Sequence, residues 1–273
     1  MRILEVMSFA EVDDPVRTEE VIYQQLKERA PQIETDYVYV ALPLAFLLNR
    51  AGIAQTQMVI NSVCERNKGQ RLVFVCQHIQ VNQLNFQGHL VFSPHATSLD
   101  SYVPLPHYSC NYDEAYIKPW NEREIVFSFM GSYITHPVRR RIHEHLSVRD
   151  DCYVADTGMW HFEGSEEKQI QNRQRYIELL GNTKYSLCPR GTGPSSIRIW
   201  ESMAMGAAPV IISDSLQMPL EMHVPENTWL RLPEAFDTTQ LDHIEGTLEM
   251  YNNKEYKEKF SNENLYRTIV ENL

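Results

Sequence analysis

The sequence predicts an α/β protein made of two Rossmann-like domains that face each other across a cleft. Strand patterns alternate with helical patterns in both halves, as expected for βαβ units and parallel sheets. The stretch Val103–Trp120 lacks clean periodicity and reads as a linker region. A length of 273 residues suits two domains. We expect domains over 1–118 and 119–255, and a final helix over 256–273 that packs back on the first domain.

Hydrophobic periodicity and helix-stopping residues place the individual elements. Strands are expected at Arg2–Ser8, Thr35–Leu42, Arg71–His78, His89–Ala96, Glu124–Ser132, Cys152–Asp156, Tyr185–Cys188 and Ala208–Asp214. Helices are expected at Thr18–Arg29, Ala54–Lys68, His136–Leu146, Ser165–Leu180, Ser196–Met205, Thr239–Asn252 and Lys254–Leu273. The chain between Asp214 and the two final helices reads as a loop.

Composition excludes several function classes. The net charge of −11 argues against nucleic acid as a partner. The five cysteines are scattered without a CxxC pair, which predicts reduced thiols and neither a disulfide framework nor a zinc site. No basic-then-apolar signal segment opens the sequence, and no apolar run reaches the roughly 20 residues that span a bilayer. We therefore expect a cytoplasmic protein without a transmembrane segment.

The stretch 184–214, "KYSLCPRGTGPSSIRIWESMAMGAAPVIISD", is the most informative part of the chain. It reads as strand, Gly/Pro turn, helix and strand, with Ser195 or Ser196 as the N-cap of the helix. A helix N-terminus at the carboxyl edge of a sheet offers N–H groups to an anion. Arg190 and Arg198 would add charge-assisted hydrogen bonds to phosphate oxygens.

Glu201 has two interpretations. It follows Arg198 by three residues on the same helix face, so the two could form a simple intrahelical ion pair. Alternatively, its carboxylate could accept both hydroxyls of a ribose diol. The stretch lacks the third glycine of a GxGxxG dinucleotide fingerprint and the GK[ST] of a Walker A loop. The pattern thus favours an anionic ligand with a sugar diol, bound by a loop that differs from the usual NAD- and ATP-binding motifs.

The same stretch resembles the signature of the exostosin-type glycosyltransferases, and "IVFSFMGSYITHPVRRRI" resembles the segment that opens the donor-binding half of that family. The resemblance is specific over about Ile125–Leu220. Its matching positions are Cys188, Pro189, Gly191, Ser196, Arg198, Glu201, Gly206, Pro209, Val210, Ser213 and Asp214.

The resemblance implies a GT-B fold and an inverting enzyme. In such an enzyme the C-terminal domain binds a UDP-sugar and the N-terminal domain binds a saccharide or glycan acceptor. It implies no obligatory metal or other cofactor, and the donor half indeed contains no Asp-x-Asp. The positions it assigns to the donor, together with neighbouring residues of the two loops, are Gly131, Ser132, Arg139, Pro189, Arg190, Gly191, Ser195, Ser196, Arg198 and Glu201.

An inverting transfer benefits from a base that accepts the proton of the acceptor hydroxyl. Candidates are side chains on loops that follow predicted strands of the first half. Asp13 and Asp14 rank jointly first, although either could simply cap a helix. His95 ranks second and His78 third, and His95 could also be an ordinary loop histidine.

The sugar and the acceptor stay open at this point. A pentose such as xylose is our expectation for the transferred sugar, and a short microbial or viral member of the family is our expectation for the chain. Two other functions compete with transfer. One is a non-catalytic nucleotide-sugar-binding protein on the same fold. The other is an NAD(P)-dependent oxidoreductase, which the missing fingerprint disfavours.

Overall fold

A computed structural model describes residues 1–12, 17–158, 165–219, 229–244 and 261–273. The chain forms two compact units. As far as the structure describes them, the first contains Met1–Tyr108, Ser215–His223 and Glu258–Leu273. The second contains Ser109–Asp214 and Val224–Lys257. The predicted α/β class is confirmed, because each unit carries a parallel sheet with flanking helices.

The first unit has a five-stranded parallel sheet in the order β1-β2-β3-β4-β5. Alternate side chains of one strand enter cores on opposite faces: Val38 and Val40 join one, and Tyr39 and Ala41 join the other. Burial on both faces explains why these strands read as continuous apolar runs. The strands are β1 (Arg2–Glu5), β2 (Tyr37–Ala41), β3 (Arg71–Val75), β4 (Leu90–Ser93) and β5 (Val103–Pro104).

Helices cover both faces of this sheet. Helix α1 (Arg17–Arg29) and the final described helix, Leu265–Val270, contribute to the same core, and Arg29 lies 4.4 Å from the ring of Tyr266. Helix α2 (Leu44–Arg66) packs on the other face. The helix predicted from Ala54 corresponds to the part of α2 that follows a kink at Gly52, whereas the part from Leu44 to the kink was not predicted. Gly52 has a non-helical φ of 77°, and this break hid the helical pattern.

The second unit has the strand order β10-β9-β8-β6-β7, all parallel. Chain order and sheet order diverge at β6, which has β7 on one side and β8 on the other. This is a topological switch point, and ligands of open α/β sheets bind there, outside the carboxyl ends of the strands. The strands are β6 (Ile125–Met130), β7 (Cys152–Ala155), β8 (Thr183–Pro189), β9 (Ala208–Ile212) and β10 (Leu230–Leu232).

The helices described in this unit are α3 (Pro137–Leu146), α4 (Glu166–Gly181), α5 (Arg198–Ala204) and α6 (Gln240–Ile244). Numbered in chain order, the helix Leu265–Val270 of the first unit is α7. Two elements correct the sequence interpretation: the region after Asp214 includes the strand β10, and the expected linker includes β5. Residues 245–260, on which much of the two predicted final helices falls, lie outside the described residues.

A buried arginine joins several elements of the second unit. Arg123 donates from Nε to the carbonyl of Lys118 at 3.0 Å and from Nη2 to that of Met205 at 3.0 Å. Its Nη1 donates to the carbonyls of Thr183 at 2.6 Å and Leu180 at 3.4 Å. Leu180 lies in the last turn of α4 and Met205 caps α5, so the cation lies at two helix C-termini, where positive charge is stabilising.

Candidate functional site

The loops after β6 and β8 meet at the switch point, and Arg139 of α3 joins them. Its guanidinium donates from Nη1 to the carbonyl of Ser132 at 3.0 Å, in the loop after β6. It also donates from Nε to the carbonyl of Arg190 at 2.9 Å and from Nη2 to that of Pro189 at 3.3 Å. The sequence-predicted residues of the two loops are therefore brought together by one side chain.

Arg198, the first residue of α5, is a second cation at this edge. It is only 8% exposed and donates from Nη2 to the carbonyl of Met130 at the end of β6. Its Nε is buried and has no hydrogen-bond partner among the described residues. Arg198 forms no ion pair with a carboxylate in the part of the chain that the structure describes. Within the described residues, only one of the five N–H donors of this guanidinium group is therefore used in a hydrogen bond.

The two guanidinium groups share one aromatic ring. The Cζ atoms of Arg198 and Arg139 lie 4.6 Å and 5.5 Å from the ring centroid of Phe129, which holds both by cation–π contact. Burial, together with the nearby charge of Arg198, lowers the pKa of Arg139 to about 9. Arg198 is buried and Arg139 is partly buried, so their two charges repel each other, and a bound anion would relieve that repulsion.

Both predicted glycines are required for this close approach. A Cβ on Gly131 would lie 2.9 Å from Nη2 of Arg198 and 3.3 Å from the ring of Phe129. A Cβ on Gly191 would lie 2.9 Å from Nη2 of Arg139. Any side chain at either position would therefore displace a guanidinium group from the strand ends.

Three serine hydroxyls around the same edge are buried without a hydrogen-bond partner among the described residues. Ser132 follows β6, Ser213 follows β9, and Ser195 lies in the loop that leads to α5. Buried hydroxyls in native proteins are nearly always hydrogen-bonded, so these three indicate a polar ligand that would complete the site. An anion with several oxygens fits donors of this kind.

The predicted role of Ser195 or Ser196 as a helix N-cap is wrong. Helix α5 begins at Arg198, has seven residues, and its N-cap Ile197 makes no side-chain hydrogen bond. The backbone N–H of Ile199 donates to the carbonyl of Ser196 at 3.1 Å, so a tight turn precedes the helix. The positive charge of the site therefore comes from guanidinium groups, and the short helix is not needed for it.

Arg190 differs from the other two arginines because a carboxylate already neutralises it. Its Nη1 lies 3.3 Å from Oε1 of Glu234, which also accepts the backbone N–H of Asp214 at 3.1 Å. The other carboxylate oxygen of Glu234 is 3.5 Å from Nε2 of His136. Glu234 was not predicted from the sequence, since it lies in a stretch interpreted as a loop and belongs to no motif.

Glu201 is the carboxylate of the site and is only 1% exposed. Its Oε1 accepts the backbone N–H of Asn111 at 3.2 Å and the side-chain amide of Asn111 at 2.7 Å. Burial raises the pKa of Glu201, and the charge of Arg198 opposes that rise. The intrahelical ion pair with Arg198 that the spacing allowed is not among the ion pairs of the described residues.

Two of the candidate bases lie at the carboxyl edge of the first sheet. His95, after β4, is 7% exposed, and its buried Nδ1 has no hydrogen-bond partner among the described residues. Its ring meets that of His107 edge-on, with the centroids 5.3 Å apart. His78 contacts Oδ1 of Asn49 at 3.1 Å through Nε2. Asp13 and Asp14, the first choices, lie outside the described residues.

The buried histidine pair makes stability depend on pH. Burial lowers the pKa of His95 to about 4, with a further contribution from the charge of His78, and lowers the pKa of His107 well below its ordinary value. Below about pH 6.5 these histidines bind protons in the unfolded chain but stay neutral in the folded chain. The stability that is present above that pH is therefore lost on acidification. Each histidine contributes a slope of at most about 1.4 kcal/mol per pH unit.

We expect His107→Phe to flatten this acid dependence, because the variant keeps a ring and removes one titrating group. The free energy of unfolding in urea, followed between about pH 4.5 and pH 7, measures the slope. The control is His243→Gln, since His243 is exposed. An unchanged slope in His107→Phe would show that the pair is not the source of the acid dependence.

Comparison with known families identifies the chain. The model of the family described as "Exostosin GT47 domain" matches residues 58–246, more than half of the sequence. The chain belongs to the exostosin GT47 family. The resemblance stated from the motif is thereby confirmed. The matched range includes both the switch-point loops and the carboxylate Glu201.

This exostosin GT47 chain is similar to curated proteins over part of their length. It is 33% identical over 101 residues to the Arabidopsis thaliana protein named probable glucuronoxylan glucuronosyltransferase IRX7, covering 36% of this chain and 21% of that protein. It is 28% identical over 153 residues to the exostosin-1 homolog of Caenorhabditis elegans, covering 49% and 40%. The chain thus spans between about a fifth and two fifths of these relatives.

A solved structure titled "Crystal structure of GtfA/B complex" also aligns, with a TM-score of 0.38 and 8% identity, over 93% of this chain and 59% of that one. So low a score carries no argument about this exostosin GT47 chain. Among the described residues, no helix is long and apolar enough to cross a membrane. The same residues contain no group of three or more His, Cys, Asp or Glu side chains placed to hold a metal ion.

Proposed function

We propose that the chain is a glycosyltransferase that binds a UDP-sugar at the carboxyl edge of its second sheet. It would transfer the sugar, with inversion, to a hydroxyl of a saccharide acceptor. The observation that carries the proposal is the pair formed by the partly buried Arg139 and the buried Arg198, beside the buried carboxylate Glu201. Two cations next to one carboxylate match a diphosphate attached to a ribose diol.

The three arginines would have different roles. Arg198 is the principal diphosphate ligand, since its side chain donates only one hydrogen bond to the described residues. Arg139 shapes the loops with three of its N–H groups and has two others for phosphate oxygens. Arg190, which is paired with Glu234, contributes least. The guanidinium groups of Arg139 and Arg198 supply the charge that a diphosphate needs, so the proposal requires no metal or other cofactor.

In the proposed reaction the acceptor hydroxyl attacks the anomeric carbon on the face opposite UDP. The new bond joins that oxygen to the anomeric carbon, and the bond from that carbon to the phosphate oxygen breaks. Its electron pair leaves with UDP, whose developing charge Arg198 and Arg139 would stabilise. The hydroxyl proton goes to a base. Asp13 or Asp14 remains our first candidate, because burial makes His95 a weak base in the described structure.

A screen of nucleotide-sugar donors identifies the transferred sugar. Xylose is our expectation from the sequence, whereas the printed name of one relative, a probable glucuronosyltransferase, supports glucuronic acid. The experiment measures UDP release from UDP-xylose, UDP-glucuronic acid, UDP-galactose and UDP-arabinose with a panel of saccharide acceptors. Turnover with at least one pair supports transfer. Binding of UDP-sugar without turnover on any acceptor would instead support the non-catalytic nucleotide-sugar-binding protein.

The base is tested by the double variant Asp13→Asn with Asp14→Asn. We expect it to abolish turnover while its affinity for UDP stays near that of the parent chain, because neither residue belongs to the proposed donor site. If the double variant keeps full activity, the base lies elsewhere and His95 is the next residue to replace.

A further inference from the structure

The position of Glu201 is fixed by a residue far away in the sequence. Helix α5 is short and has no side-chain cap, so the helix alone provides little to orient its carboxylate. Asn111 supplies two donors instead, its backbone N–H and its side-chain amide. Both donors converge on Oε1, and neither engages Oε2. Asn111 therefore holds one carboxylate oxygen and makes no hydrogen bond to the other. The hydroxyl of Tyr176 also interacts with this carboxylate and lowers its pKa.

The segment that carries Asn111 is anchored independently of Glu201. On one side, Nη2 of Arg173 in α4 donates to the carbonyl of Cys110 at 3.0 Å. On the other side, the backbone N–H of Asp113 donates to the sulfur of Met205, the cap of α5, at 3.4 Å. Asn111 thus lies between two contacts to the scaffold of its own unit, which makes it a suitable support for a ligand-binding side chain.

We propose that Asn111 is a positioning residue for the nucleoside end of the donor. It holds Oε1 of Glu201 so that Oε2 can accept hydrogen bonds from the ribose diol. The inference rests on the proposed function, since it assumes that Glu201 binds the ribose. Its consequence is specific: Asn111 should matter for ligands with both ribose hydroxyls and much less for ligands that lack one.

Asn111 also helps to keep Glu201 ionised. Burial raises the pKa of this carboxyl, whereas the charge of Arg198, the hydroxyl of Tyr176 in α4 and the two hydrogen bonds from Asn111 lower it. Among the described residues, Cys188 of β8 also interacts with Glu201. Without the Asn111 amide, Glu201 would become protonated at a higher pH. A protonated carboxyl loses acceptor capacity for the diol.

The test compares UDP with 2′-deoxy-UDP in calorimetric titrations of the full chain and of Asn111→Leu. We expect Asn111→Leu to weaken UDP binding about tenfold and 2′-deoxy-UDP binding much less, so that discrimination between the two falls. On acidification, the variant should lose its remaining discrimination at a higher pH than the parent chain. Tyr112→Phe is the matched control, since it removes a side-chain hydrogen bond to Glu114 in the same segment, and it should keep the discrimination.

The outcomes separate the inference from the function on which it rests. If the parent chain binds neither nucleotide, the proposed function fails. If the parent discriminates and Asn111→Leu discriminates equally well, the positioning role is wrong while the function stands. An equal loss for both nucleotides would mean that Asn111 only stabilises the fold, and it would likewise overturn the positioning role.

Discussion

Replacing Arg198 by methionine is expected to weaken UDP binding at least about 30-fold, which corresponds to about 2 kcal/mol or more. Arg198 is buried and makes one described hydrogen bond, to the carbonyl of Met130 at the end of β6, beside the switch point. Methionine keeps an apolar stem of similar length over the ring of Phe129 and removes the charge. Isothermal titration with UDP in the presence of a chelator measures the effect.

Arg140→Met is the matched control, because Arg140 is exposed on α3 next to Arg139. It should bind UDP like the parent chain. Arg139→Met is expected to have a mixed effect, since Arg139 also holds the carbonyls of Ser132, Pro189 and Arg190. Equal UDP affinity in Arg198→Met and Arg140→Met would remove Arg198 from the site.

Replacing Arg123 by methionine is expected to lower the free energy of unfolding by at least about 3 kcal/mol. The variant leaves four backbone carbonyls without the donors that they have in the structure. Two of these carbonyls belong to the C-terminal ends of α4 and α5, and α5 carries Arg198 and Glu201. Loss of Arg123 should therefore weaken the support of the site as well as the fold.

Urea denaturation of Arg123→Met and Arg123→Lys measures this effect, again with Arg140→Met as the surface control. Lysine keeps the charge but lacks the forked donors, so we expect an intermediate loss of stability. A loss of less than about 1 kcal/mol in Arg123→Met would mean that water satisfies the carbonyls and that Arg123 is not an anchor.

The strands of the central sheets could be predicted from the sequence because they are buried on both faces. In β3, for example, the exposed Arg71 is followed by the uninterrupted apolar and buried run Leu72–Val75. The edge strands β5 and β10 were missed because they have only two and three residues, too few for a pattern. The start of α2 was missed because the break at Gly52 interrupts its periodicity.

The cations and the carboxylate of the candidate site could also be predicted from the sequence. Arg139, Arg198 and Glu201 stand at fixed spacings after strand-like runs, and carboxyl ends of parallel strands share one edge. The partners of these residues were not predictable. Asn111 is 90 residues from Glu201 and Glu234 is 44 from Arg190, and only the folded chain brings each pair together. The absence of an N-cap on α5 likewise depends on the turn at Ser196.

The measurement that tests the central claim most directly is a titration of the parent chain with UDP, UMP and uridine in the presence of a chelator. If Arg139 and Arg198 at the switch point bind a diphosphate, UDP should bind at least about tenfold more tightly than UMP, and uridine most weakly. Equal affinities for UDP and uridine, or no binding of UDP, would contradict the assignment of this edge as a nucleotide-sugar site.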